Sequence, residues 1–318
     1  MRKDFLSCYD KKRWDAACSP TDHCNEIPWP KLNKNGVMKM NMRFKGAAAA
    51  LSKVVLAATI AALLLPATAA PIVDTVNGEK IELLRSDVPQ SRGVVVFENG
   101  ARETLDTWNN VIADIGKEST VFAYNRPGYG RSEATSARRD GRTIVERLRQ
   151  VLQKQGLKPP YMLVGHSMGG LYMQLFARLY PQEVQGVVLV DSLYPGVIKR
   201  PEDFPLYTRI GKRLFLGDTV GREIDEIHHT GEIVQSLPCP DDIPMVRLFN
   251  VPKSAGAIGV DFGVINDDPQ TVAALKAMYP KARKVIVDSD HRIQDANPEL
   301  VVAAIRELMA QKRSGSRE

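Results

Sequence analysis

Cysteine is almost missing from the part of this chain that reads as folded. Of four cysteines, Cys8, Cys18 and Cys24 fall in the first two dozen residues, and Cys239 stands alone afterwards. An intramolecular disulfide in the chain after residue 69 is therefore excluded. The early cysteines with His23 lack the paired C-x-x-C spacing that closes four ligands round zinc, so no metal site is expected. Histidine is equally sparse, five in 318 residues, which leaves few candidates for any step needing an imidazole. There is no block of one charge: the net charge is +6, but Arg and Lys alternate with Asp and Glu. That pattern gives no basic stripe for nucleic acid, and none is expected as a partner. With 44% hydrophobic and 25% charged residues, the chain can bury one large core.

Only one long apolar run occurs, near the beginning. From Met38 or Met40 the sequence has a basic opening, an apolar stretch Val54–Leu65, the helix breaker Pro66 and the small residues Ala67-Thr68-Ala69. These are the parts of a secretory signal peptide over 38–69, with Lys53 leaving the run too short to span a bilayer comfortably. The expectation is export to the periplasm or medium, with membrane contact only transient through the leader. A membrane anchor retained by an uncleaved leader is the alternative. Because a leader must stand first, translation is expected to begin near Met38, Met40 or Met42, leaving 1–37 as a non-native or disordered extension.

From residue 93 short β-branched runs alternate with helix-length amphipathic segments. The rhythm predicts α/β architecture: a doubly wound, mostly parallel sheet with helices on both faces, over residues 70–318. Strands are expected at 93–98, 120–125, 161–165, 184–190, 244–249 and 284–287, and helices at 105–115, 143–155, 170–180, 271–278 and 298–311. Residues 194–242, rich in Pro, Gly and charge with weak helical periodicity, read as a cap insertion.

The strand YMLVGHS runs straight into the helix MGGLYMQLFARLY, and the joint is Gly165-His166-Ser167-Met168-Gly169. A G-x-S-x-G at such a junction forces a tight, strained turn in which glycines two residues either side prevent collision. Ser167 is held at its tip as a nucleophile, and the Met168 amide at the helix start is placed for an oxyanion. A serine hydroxyl needs an imidazole to take its proton. His23 lies in the leader region, His166 adjoins the nucleophile, and His228 and His229 fall in the insertion, so His291 is the candidate base.

With GHSMGG stand FENG (97–100), NRPGYGRS (125–132), VVLVDSLYP (187–195) and SDHRIQDANPELV (289–301). Together, in this order, they make the chain resemble the α/β-hydrolase superfamily over about residues 75–312. The resemblance implies an esterase- or lipase-like serine hydrolase, without cofactor or metal, acting on a small-molecule acyl substrate through an acyl-enzyme. It also implies Ala101 N–H as the second oxyanion donor. Asn99-Gly100 stands where many relatives have His-Gly, and Asn125 replaces a commoner Asp in a structural role. Relatives usually carry the triad acid after the strand at 244–249, where this chain has Asn250-Val251-Pro252. Asp191, which ends the strand after the nucleophile, is favoured as the acid, Asp261 is the alternative, and Asp267 and Asp268 lie further on. Asp290 is expected to point away from the imidazole, and Asp295 to be surface charge. An acyltransferase and a non-catalytic ligand-binding protein of the same fold remain as other readings. Phe204, Tyr207, Phe215, Leu216 and several Arg in the cap suit a medium-sized apolar acyl group with an anionic end.

Overall fold

In the computed structural model, residues 70–196, 217–250 and 269–311 are described, with the single positions 200, 202 and 206. The leader 38–69, the segment before it, Asp261, Asp267, Asp268 and the four apolar cap residues above lie outside the described residues. The described residues fall within one compact unit.

The unit is built on eight strands: β1 (Ile72–Val76), β2 (Glu79–Ser86), β3 (Val94–Glu98), β4 (Thr120–Tyr124), β5 (Tyr161–His166), β6 (Val184–Val190), β7 (Met245–Asn250) and β8 (Arg283–Val287). Their order is β1-β2-β4-β3-β5-β6-β7-β8. β1 pairs antiparallel with β2 and β2 with β4, and all other neighbours are parallel. The helices are α1 (Asn109–Ile115), α2 (Gly141–Lys154), α3 (Met168–Leu179), α4 (Gly217–Ser236), α5 (Pro269–Met278), α6 (Ile293–Ala296) and α7 (Pro298–Ala310).

Strand side chains alternate between two apolar cores, as a sheet covered on both faces requires. Val96, Phe122, Leu163 and Val187 face α2 and α3 through Leu148, Leu171 and Phe176. Val95, Ala123, Val164 and Val188 face the other way, toward Trp108, Ile115, Val301 and Ile305. Each core excludes solvent almost fully, so the sheet is a rigid platform whose strand ends can hold side chains in fixed positions.

The sequence expectation began at residue 93 and omitted β1 and β2. They form a hairpin turning at Asn77-Gly78, both with positive φ (51° and 84°), the conformation that favours Asn-Gly in two-residue turns. The cap also differs from expectation, because 217–236 is one helix of 20 residues. Its buried face is Val220, Glu223, Ile227, Thr230, Gly231 and Val234. The spacing is helical, but three of the six are not apolar, which is why hydrophobic periodicity looked weak. Among the described residues no helix is long and apolar enough to cross a membrane.

Candidate active site

The parallel strands release their connections at one end of the sheet, and β3, flanked by β4 and β5, marks the point where the winding reverses. The predicted residues gather there. Ser167 follows β5 directly with φ 51° and ψ −120°, a conformation that L-residues avoid and that must be held by its surroundings. Its N–H donates to Val190 O at 3.1 Å, and its carbonyl accepts from Gly170 N (3.1 Å) and Leu193 N (2.9 Å). A side chain at 165 would put a Cβ 2.7 Å from Gly169 O and Gly170 Cα, and one at 169 would drive into the backbone carbonyls of Glu98 and Asn99. The glycines are thus demanded by close approach. Met168 is the first residue of α3, so helix geometry leaves its amide without an intrahelical acceptor.

Asp191 follows β6, almost completely buried, also with positive φ (39°). Its Oδ2 accepts from His291 Nδ1 at 2.6 Å. Asn250, at the end of β7, donates to the same carboxylate twice, from its backbone N–H at 3.3 Å and from its side-chain amide. At the end of β7, where the resemblance placed an acid, this chain has an amide that donates to the carboxylate following the neighbouring strand. His291 is about a third exposed, in the connection between β8 and α6.

His166 and Glu103 add a second, buried pair that the sequence did not suggest. His166 Nδ1 lies 2.7 Å from Glu103 Oε2, and its Nε2 lies 2.8 Å from the carbonyl of His291. Both neighbours are acceptors, so the ring satisfies both only as a doubly protonated imidazolium. Burial opposes that charge, but the Glu103 carboxylate outweighs it and holds the His166 pKa above its usual value. Burial likewise works against ionised Glu103, yet His166 and the Gly100 amide hold its pKa below the usual range. The His166 and His291 rings lie 4.6 Å apart, so this pair ties the backbone of His291 to the turn that carries Ser167.

The loop holding Ala101 is fixed by Arg126, itself 1% exposed. Arg126 donates to the carbonyls of Asn99 (2.7 Å) and Gly100 (2.9 Å), to Glu98 (2.6 Å) and to Glu223 of the cap helix α4 (3.1 Å). Glu223 also accepts from Tyr129 Oη at 2.6 Å and from Arg139. Burial pushes the pKa of Glu98 up. It does the same to Glu223, but there two arginines prevail and the net shift is downward. Asn125 has the structural role expected of it: Nδ2 donates to Glu82 at 2.7 Å while Oδ1 accepts from Leu105 N at 2.7 Å, and an aspartate could not donate to that carboxylate. Asn99 is buried between the Tyr124 carbonyl and the Trp108 indole N–H. Asp290 caps Arg292 N at 2.9 Å, and Asp295, expected at the surface, is half-buried against Arg292.

A family model described as the alpha/beta hydrolase fold matches residues 93–275, more than half of the sequence. The chain belongs to the α/β-hydrolase family. Among curated proteins it is similar to the uncharacterized Bacillus subtilis protein YbdG, 29% identical over 155 residues, covering 46% of this chain and 48% of that one. It is also similar to uncharacterized YqjL of the same organism, 37% identical over 102 residues, 32% of this chain and 40% of the relative. The chain therefore spans less than half the length of these relatives. Among solved structures, a thermophilic esterase from Thermogutta terrifontis shares the fold at TM-score 0.55 and 20% identity, over 75% of this chain and 97% of the other.

Proposed function

We propose that this protein is a serine hydrolase that cleaves an ester or related small carbonyl substrate through an acyl-enzyme. Ser167 Oγ attacks the carbonyl carbon while His291 Nε2 takes its proton. Asp191 accepts from Nδ1, which fixes the tautomer and stabilises the imidazolium that forms. The Met168 and Ala101 amides hold the oxyanion. The tetrahedral adduct collapses, and His291 returns the proton to the departing alkoxide. Water then attacks the acyl-enzyme with the same ring as base, releasing the acid and restoring Ser167.

The contact that carries this reading is Asp191 to His291 at 2.6 Å, at the sheet end where the strained turn presents Ser167. A panel of p-nitrophenyl esters of increasing chain length, assayed with wild type and Ser167→Ala, tests it. Turnover of the preferred ester should fall on the order of 10⁴-fold or more in the variant. Equal rates for the two proteins would overturn the scheme.

The same reading places the enzyme outside the cytoplasm, supported by the basic opening, apolar run and small residues of 38–69. N-terminal sequencing of protein from the periplasmic or medium fraction should begin at Ala70 or Pro71. An intact leader on that protein would refute export by cleavage.

A further inference from the structure

At the β8 edge of the sheet, between β7, β8 and α5, lies a cavity of about 220 Å³, and Ser167, Asp191 and His291 contribute nothing to its lining. The walls are apolar and aromatic, from Phe249, Leu275 and Tyr279. The charged lining is of one sign: Arg247, Lys276 and Lys284, with no acidic residue.

Arg247 is 5% exposed. Its Nη1 has one weak acceptor, the Leu275 carbonyl at 3.3 Å, and its Nε is buried with no acceptor. The guanidinium and the Lys284 ammonium both lie against the Phe249 ring, 5.6 and 5.0 Å from its centroid, so two like charges share one aromatic ring. Lys276 and Lys284 are exposed and form the rim.

Two other buried arginines are neutralised by carboxylates, whereas buried Arg178 has none among the described residues and its Nη1 donates to the Leu237 carbonyl at 2.7 Å. Arg126 pairs with Glu98 and Glu223, and Arg139 with Glu223. Among the described residues Arg247 has no carboxylate partner either, and unlike Arg178 it lines a cavity. Aromatic contacts offset part of the cost of removing a guanidinium from water, but an unpaired buried charge remains strongly unfavourable. An anion in the cavity would relieve it.

We propose that this cavity is a binding site for a small organic anion, a carboxylate or phosphate group carried on an apolar body. The headgroup meets the planar fork of Arg247, which suits bidentate acceptors, and the rim lysines add charge. The apolar body lies against Phe249 and Leu275. The site does not depend on the reaction proposed for Ser167.

Calorimetric titration of the full chain with octanoate, octyl phosphate and inorganic phosphate tests this. At least one amphiphile should bind, more weakly as salt is raised. Its affinity should be the same in wild type and Ser167→Ala, at least about tenfold lower in Arg247→Gln, and lower in Lys284→Gln. The ratio of octanoate to octyl phosphate affinity identifies the headgroup. Inorganic phosphate binding as tightly as octyl phosphate would overturn the role of the apolar walls. No binding of any probe at millimolar concentration, or binding unaltered by the substitutions, would overturn the site. Loss of binding after covalent blocking of Ser167 would place the anion at the hydrolytic centre and also overturn it. If Arg247→Gln fails to fold, the exposed Lys284 position carries the test.

Discussion

Replacing Asp191 by asparagine changes one atom and should remove most of the activity. The carboxylate is 1% exposed and receives three donors: His291 Nδ1, the Asn250 backbone amide and the Asn250 side chain. An asparagine offers one oxygen and one NH₂ in the same place, so its NH₂ must face either the imidazole or the Asn250 amide, donor against donor. The ring can escape by shifting its proton to Nε2, the atom that has to accept from Ser167. Asp191 is too deeply buried for solvent to take over its role, so the wrong tautomer is trapped. For a triad the expected loss is ~10⁴ in kcat, about 5.4 kcal/mol at 1.36 kcal/mol per factor of ten. KM should stay within roughly threefold, because the carboxylate touches the ring and not the substrate. The assay is steady-state hydrolysis of the preferred p-nitrophenyl ester, with the rate of Ser167 labelling by a fluorophosphonate as a second readout and circular dichroism to confirm folding. A loss smaller than about tenfold would refute Asp191 as the acid. So would a larger loss from Asp261→Asn than from Asp191→Asn.

Glu223→Gln leaves Arg139 without its charged partner and weakens the tie between α4 and Arg126, so urea unfolding should show roughly 3–5 kcal/mol lost; a loss within about 1 kcal/mol would mean the ion pairs do not hold the cap. The His166–Glu103 pair gives a pH-dependent contribution whose sign follows from the shifts. His166 has a raised folded pKa, so its contribution is full below its usual 6.5 and is lost as pH rises through the folded value. Glu103 has a lowered one, so its contribution is present above its usual 4.5 and is lost as pH falls through the folded value. The stability gap between wild type and Glu103→Gln, followed by urea midpoints, should be widest between about pH 4.5 and 6.5 and narrow as the pH rises beyond that window. A gap that widens over that upper range would contradict a charged pair.

The sequence was most legible where burial dictates composition. Strands covered on both faces must be continuously apolar, and VVVFE, TVFAY and VQGVVLV could be placed to within a residue or so. The β1–β2 hairpin was legible too, since Asn77-Gly78 sits between alternating strands, but it lies upstream of the βα rhythm that drew attention. Hydrophobic spacing could not show α4 clearly, because Glu223 and Thr230 occupy its inner face. They are there to meet Arg126, Arg139 and the Gly141 amide, partners about 85 to 100 residues away. The same distance problem hid Glu103: it reaches His166 across 63 residues, and His166 reaches His291 across 125. Motif spacing identifies a turn that presents a hydroxyl. It says nothing of which buried charge answers which, and the competition between Asp191 and Asp261 was of that second kind.

Arg126 explains why the cap helix and the loop carrying Ala101, the proposed oxyanion donor, should behave as one unit. The carbonyls of Asn99 and Gly100 immediately precede the Ala101 amide, so whatever fixes them fixes the direction of that donor. Arg126 holds both carbonyls and spends its remaining hydrogen-bonding capacity on Glu98, from the strand below, and Glu223, from the helix above. Glu223 can leave only if a buried guanidinium loses half of its countercharge, which the low dielectric strongly disfavours. Displacing α4 to admit a larger substrate would therefore loosen the donor that the proposed reaction needs at its most polar moment. In the proposed reaction, the position of α4 is thereby coupled to catalysis.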